Sequence, residues 1–330
     1  LSRLPSVLVI ADGDELRLQG LADPVASRIP GLRITGSANR ESFWGELVSS
    51  LEKDWPGMRS AAFLLCTSPY MSRVPVYMLR FLTCVLGAGL HPELYCYLDG
   101  VHTLHDGQRP SEFENIGKGV SALSGNTIRA CRDPWFAACS RCATARGYYQ
   151  MNPGTGFCEP ASCIQDIAIK PLKEILARFS GFHPVASHMG GWTVPAGDGK
   201  EGVPTLTVFI THPPYCSEWT FGGLSLAIAA AMDGISTNVV FIEDGVYALQ
   251  GNHEVPENDR IFNVQEMIAV TTDIGSLSYY VHAPSVADRG VSTTGNLSLV
   301  REASDGDLSR ILFPAKKDPA FTPAMRMLFF

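Results

Sequence analysis

The sequence predicts an α/β protein in which one parallel-sheet unit is built twice, behind a short N-terminal αβ segment. Two observations carry this. From Ser60 onward, apolar strands alternate with helices, the pattern of a mainly parallel sheet covered by helices on both faces. Three landmarks then recur in the same order: Pro69-Tyr70 at Pro214-Tyr215 and Asp99-Gly100-Val101 at Asp244-Gly245-Val246, each 145 residues on, and Arg146-Gly147 at Arg289-Gly290, 143 on. Recurrence at nearly one offset marks internal duplication, and two similar domains are expected to pack as a pseudo-dimer.

Taken in order, residues 1–58 form one strand-helix-strand-helix segment: a strand at Ser6–Ile10, a helix over Glu15–Gln19, a strand at Leu32–Ile34 and an amphipathic helix over Ser42–Lys53. It is too small to stand alone and is expected to dock on the first of the two larger units. That unit, 59–185, opens with a strand at Ala61–Cys66, a turn at Thr67-Ser68-Pro69-Tyr70 and an apolar helix over Val74–Leu86. Strands follow at Leu94–Leu98 and Thr127–Ala130, with a helix between them over Ile116–Ser124. The Gly- and Pro-rich stretch 186–203 reads as an interdomain linker, and His183 and His188 beside or within it as solvated loop histidines. The second unit, 204–330, repeats the scheme: a strand at Thr205–Thr211, an Ala-rich helix over Gly222–Met232 and a strand at Asn238–Glu243.

With 330 residues, 45% hydrophobic and 18% charged, the chain has an ordinary globular core and enough length for two domains. A net charge of −7, with no basic run longer than Lys316-Lys317, excludes nucleic acid and anionic membrane surfaces as expected partners. No stretch reads as a transmembrane helix or a secretory leader. A cytoplasmic protein with reduced thiols is therefore expected, and its nine unevenly spaced cysteines do not read as a disulfide framework. The sequon Asn296-Leu297-Ser298 is then a chance match, and Gly87-Ala88-Gly89 lacks the third glycine of a dinucleotide fingerprint.

Five of the cysteines crowd into Cys131–Cys163. Cys139 ends the apolar stretch Ala137-Ala138-Cys139 and precedes a short helix over Ser140–Gly147. A thiol at a helix N-terminus feels the positive end of the dipole, which favours the thiolate. Cys142 lies one turn on, and Arg146 further along could stabilise an anion or pair with a carboxylate. Asp99, His102, His105 and Asp106 cluster after a strand, with His105 a possible aid to a thiolate at Cys139. Cys66, Cys84, Cys96 and Cys216 lie in or beside apolar elements and read as core, and Glu243 and Asp244 as turn and cap residues. The repeat supplies an internal control. Eight residues before Gly147 stands Cys139, and eight before Gly290 stands His282, so the second unit has no sulfur nucleophile and His282 at most a supporting role.

Ser68-Pro69-Tyr70, Asp99-Gly100-Val101 and Cys139-Ser140-Arg141-Cys142-Ala143-Thr144-Ala145-Arg146-Gly147, echoed by Pro214-Tyr215, Glu243-Asp244-Gly245-Val246-Tyr247 and Ala287-Asp288-Arg289-Gly290, resemble the DsrE/DsrF/TusD-like sulfur-relay proteins. The resemblance covers about 60–185 and 204–315. It implies two three-layer α/β sandwiches, oligomeric assembly, and a sulfur carrier that passes persulfide sulfur between donor and acceptor proteins through Cys139, with Cys142 as a resolving or supporting thiol and no cofactor. The second unit departs from that pattern by lacking the cysteine, and residues 1–58 lie outside it.

Rival readings attach to the same thiols. Cys139-x2-Cys142-x15-Cys158-x4-Cys163 approaches a two-pair zinc spacing, though its last pair is wider than usual, and it matches neither common iron-sulfur pattern. Cys139 and Cys142 could instead cycle as a redox dithiol. A non-catalytic scaffold or partner subunit, the second unit serving as a docking surface, is the remaining class. The sequence leaves open whether Cys131, Cys142, Cys158 and Cys163 ligate, resolve or pack.

Overall fold

The computed structural model describes residues 9–21, 32–35, 41–54, 57–130, 132–179, 185–187, 193–194, 205–256, 258, 260–292, 300–312 and 325–330. Cys131, His183, His188, the sequon and Lys316-Lys317 lie outside the described residues. Among the described residues no helix is long and apolar enough to cross a membrane.

The N-terminal segment comprises β1 (Val9–Asp12), α1 (Gly13–Leu18), β2 (Leu32–Thr35) and α2 (Glu41–Asp54), with β1 and β2 pairing in parallel as a separate two-stranded sheet. The first unit follows with β3 (Ser60–Leu65), α3 (Val74–Gly87), β4 (His91–Cys96), α4 (Ile116–Arg129), β5 (Trp135–Cys139) and α5 (Ser140–Ala145). A hairpin of β6 (Tyr149–Met151) and β7 (Cys158–Pro160) intervenes before β8 (Ala168–Lys170), α6 (Leu172–Phe179) and β9 (Val185–Ser187). After β10 (Thr193–Val194), the second unit has β11 (Thr205–Ile210), α7 (Trp219–Met232), β12 (Ser236–Phe241), α8 (Val264–Ala269), β13 (Leu277–His282), α9 (Ala283–Arg289), β14 (Arg301–Ala303), α10 (Asp305–Leu312) and β15 (Met325–Phe329).

The two main sheets share one strand order. The first runs β8-β5-β4-β3-β9 and the second β14-β13-β12-β11-β15, with β10 added antiparallel outside β15. All other pairings in both sheets are parallel. The central strands explain the apolar runs of the sequence, since every residue of β3 is buried, as befits a parallel strand covered on both faces.

The repeat extends to side chains. Tyr70 and Tyr215 both have positive φ, at 71° and 67°, and each hydroxyl accepts from the first amide of the helix opposite, Ile116 or Val264. Each unit carries a 3-10 helix after its second strand, Leu98–Leu104 and Glu243–Leu249. Gly100 and Gly245 sit inside these turns against the neighbouring strand; a Cβ at either would lie 1.9 Å from the carbonyl oxygen of Leu65 or Ile210. Arg146 pairs with Asp99, and Arg289 with Asp244.

The expected helix over Ile116–Ser124 runs on to Arg129 and absorbs the strand expected at Thr127–Ala130. Thr127, a strand former by propensity, instead donates its hydroxyl to Leu123 O at 2.7 Å and stays in the helix. The strand expected at Leu94–Leu98 starts earlier, at His91, and Leu98 already belongs to the 3-10 helix, with φ 49°. The stretch read as linker adds a strand to each sheet, since β9 pairs with β3 and β10 with β15.

Helices α3 and α7 are both apolar around nearly their whole circumference, which a helix lying on one sheet does not require. Each has a second neighbour. α2 of the N-terminal segment packs on α3, with Trp44 against Tyr77 at 5.6 Å and Glu15 bound to Arg73 at 2.8 Å. The N-terminal end of α7 packs on the first unit, where Gly222 lies against Leu98 so closely that an added Cβ would meet its side chain at 2.6 Å. Tyr97 donates to Gly222 O at 2.9 Å, and its ring meets Phe330 edge-on at 6.3 Å. One continuous core thus runs through both units.

Candidate functional site

β5 delivers Cys139 to its C-terminal end, and the chain turns directly into α5. Cys139 is the N-cap of that helix (φ −62°, ψ 121°), and Cys142 is its third residue. N-cap and third-residue side chains face each other at a helix start, and here the two thiols form a hydrogen bond. Cys139 is 1% exposed and Cys142 8%.

This pairing splits the two thiols electrostatically. The hydrogen bond from Cys142 is the largest influence on Cys139; the amides of Cys142 and Arg141 and the Arg141 charge add to it, against burial, and bring the Cys139 thiol down to about 6. Its side chain makes no conventional capping hydrogen bond, so those amides act as an oriented positive field. Donating that hydrogen bond, together with burial, raises the Cys142 thiol. The pair therefore holds one proton, on Cys142, and one anion, on Cys139.

Tyr97, whose hydroxyl burial pushes well up, lies beside both sulfurs, and the second unit packs onto Tyr97 and Leu98. The Arg141 guanidinium lies 5.2 Å from the Phe221 ring centre and 5.8 Å from that of Phe262, two rings that stack on each other at 5.0 Å. Arg146 binds Asp99 at 2.6 Å and also reaches Glu218 of the second unit. Its charge is thus largely answered by two carboxylates, and its influence on the Cys142 thiolate is minor. Neither Tyr97 nor Arg141 stood out in the sequence, although Arg141 lies between the two cysteines.

His105 is not brought to Cys139. Its backbone bridges to Cys163, and its ring lies against Gly107 and 6.3 Å from Tyr148. His102 comes closer to the ion-pair cluster, with Nδ1 3.0 Å from the Tyr148 hydroxyl and Nε2 4.0 Å from Asp99; burial lowers its pKa.

The four thiols of the zinc spacing do not converge. Cys158 is exposed on the β6-β7 hairpin, and Cys163 donates to the carbonyls of Tyr148 and Ala161. Among the described residues no group of three or more Cys, His, Asp or Glu side chains is placed to hold a metal. None of the eight described cysteines is in a disulfide. Cys66 and Cys96 are buried as expected, and burial raises both thiols, Cys96 to about 12. Cys216, expected in the core, is exposed, because the turn after β11 carries it outward next to Tyr215 before α7 begins.

In the second unit the same position is rebuilt without sulfur. His282 is the N-cap of α9, as Cys139 is of α5, and Ser285 stands where Cys142 does. His282 Nδ1 lies 2.7 Å from Ser285 Oγ and Nε2 2.9 Å from Asp305. Ser285 Oγ also accepts from Glu243 N at 3.0 Å. Glu243 replaces Leu98 and is exposed, so nothing apolar awaits a partner there.

The profile of the DsrE/DsrF-like family matches residues 205–312. An uncharacterized protein of Methanocaldococcus jannaschii is 29% identical over 120 residues, 36% of this chain and 97% of its own length. The crystal structure of the ychN protein from E. coli overlaps 38% of this chain and 99% of its own at 21% identity, with a TM-score of 0.32, too low to argue from. Residues 205–312 of this chain are a DsrE/DsrF-like domain.

Proposed function

We propose that this protein is a sulfur carrier of a sulfur-relay system and that Cys139 is the atom that carries the sulfur. The observation that supports this most is the state of the thiol pair: an N-cap cysteine held as thiolate by a neighbouring thiol, helix amides and an arginine. The matched family domain is the unit that has His282 in place of the cysteine, so the reading of Cys139 leans on the strand order and turn chemistry common to both units.

In this reading the Cys139 thiolate attacks the outer sulfur of a donor persulfide and becomes Cys139-S-S⁻. An acceptor thiol then attacks that outer sulfur and releases the Cys139 thiolate. A value near 6 keeps the thiolate populated at neutral pH without the loss of nucleophilicity that a far lower value brings. Cys139 is almost fully covered, so each exchange requires the second unit to draw back from Tyr97 and Leu98. The partners are a donor and an acceptor protein, the compartment is the cytoplasm, and the chain works within a larger assembly. Transfer of radiolabelled sulfur from a persulfide donor to an acceptor is expected to stop in Cys139→Ser; unchanged transfer would mean that Cys139 is not the carrier.

A further inference from the structure

Cys142 has a role that carriage alone leaves unused. N-cap and third-residue side chains meet in both units, and in the second the meeting is direct, with His282 Nδ1 2.7 Å from Ser285 Oγ. The same framework in the first unit holds two thiols that hydrogen-bond to each other, one turn apart at the start of a helix, which is also where Cys-x-x-Cys pairs close into disulfides. Both are buried, so an external thiol reaches Cys139 less readily than its neighbour does. Cys158 stands exposed on the hairpin and Cys163 is occupied with backbone carbonyls.

We infer that Cys142 resolves the persulfide formed on Cys139, expelling its outer sulfur as hydrosulfide and closing a Cys139–Cys142 disulfide. This persulfide-reducing activity of the first unit rests on the carrier reading above. The step balances as Cys139-S-S⁻ plus Cys142-SH giving the Cys139–Cys142 disulfide plus HS⁻. An electron pair of the Cys142 sulfur forms the new bond to Cys139 Sγ. The pair of the broken sulfur-sulfur bond leaves with the outer sulfur, which also takes the Cys142 proton. An external dithiol returns the disulfide to the reduced pair. The second unit, with imidazole and hydroxyl at the two positions, has no such chemistry. The chain therefore has two exits for a bound sulfur, to an acceptor thiol when the units part and to sulfide when they stay closed.

The test loads the full-length reduced protein with inorganic polysulfide, removes the excess, and follows released sulfide together with peptide mass mapping. The wild type is expected to lose its persulfide, release about one sulfide per persulfide lost, and gain a disulfide between Cys139 and Cys142. Cys142→Ser keeps a hydrogen-bond donor at that position, as Ser285 does in the second unit, and is expected to retain the persulfide at least about tenfold longer. Wild type and Cys142→Ser holding the persulfide equally long would overturn the inference while leaving the carrier reading standing. So would sulfur found on Cys142, or a disulfide to any other cysteine. Loading of neither protein would overturn both readings. The wild-type measurement needs no variant, so a poorly folded Cys142→Ser does not spare the inference.

Discussion

The strand ends at Cys139 and at His282 are the same place built twice. Each closes the third strand of its sheet, caps a short helix, and faces the helix's third residue across a hydrogen bond. Each lies beside a 3-10 helix held by a glycine against the first strand and by an arginine-aspartate pair. They differ in two respects. One pair is sulfur and the other is imidazole and hydroxyl, and one is covered by a neighbouring unit through Leu98 while the other presents Glu243 to solvent. The shared features are what the backbone needs, and the differing ones are where reactivity and its protection lie.

The shared turn is the most severe place to break the comparison. Gly100→Ala and Gly245→Ala each push a Cβ to 1.9 Å from a backbone oxygen that cannot yield. Each is expected to cost at least about 3 kcal/mol in chemical denaturation, with similar losses in the two units. Tolerance of either would show that the turns are not equivalent.

The thiol pair comes next. Cys142→Ala removes the largest influence that lowers Cys139, so its thiol moves up from about 6 and alkylation by iodoacetamide at neutral pH is expected to slow about tenfold. An unchanged rate would assign the thiolate to the helix start alone. The sign for stability is set by a folded value below the unfolded one. The Cys139 contribution is present above the ordinary thiol value of about 8.5 and is lost as pH falls through about 6. The melting-temperature advantage of wild type over Cys139→Ser is accordingly expected to grow from pH 6 toward pH 8.5, and a flat difference would count against the buried thiolate.

The cover is tested more gently. Gly222→Ala forces its Cβ within 2.6 Å of Leu98, a flexible side chain, and is expected to weaken the contact between units by about 1–3 kcal/mol. Cys139 should then react faster with a bulky maleimide, and an unaltered rate would mean that the second unit does not guard the pair. The smallest effect belongs to the ion pairs. Arg146→Ala loses two carboxylates, one of them across the unit boundary, yet surface exposure limits the cost to about 1 kcal/mol. Arg289→Ala loses only Asp244 and should melt as wild type does.

Much of this was legible in the chain itself, for reasons that can be named. Pro69-Tyr70, Asp99-Gly100-Val101 and Arg146-Gly147 recur because positive φ, a close backbone approach and an ion pair each admit few residue types, so duplication leaves them in place. Cys139 could be found because a strand followed at once by a helix fixes the N-cap. What stayed hidden depends on long-range packing. The apolar girdle of α7 read as an ordinary core helix until Leu98 and Tyr97 of the first unit appeared beside it. β9 and β10 are three and two residues long, too short for any period to register, and Gly- and Pro-rich sequence surrounds them. The cysteine spacing suggested zinc because spacing along the chain does not report that a hairpin carries Cys158 away from the thiol pair. Ser285 was within reach, since the offset that pairs Cys139 with His282 also pairs Cys142 with Ser285.

Mass mapping of the intact, reduced protein immediately after brief exposure to a polysulfide or thiosulfate donor tests the central claim most directly. The account predicts a mass gain of one sulfur atom located on Cys139, absent from Cys139→Ser and from the peptide that contains His282. A gain located on another cysteine, or no gain while Cys139 still alkylates rapidly, would contradict it.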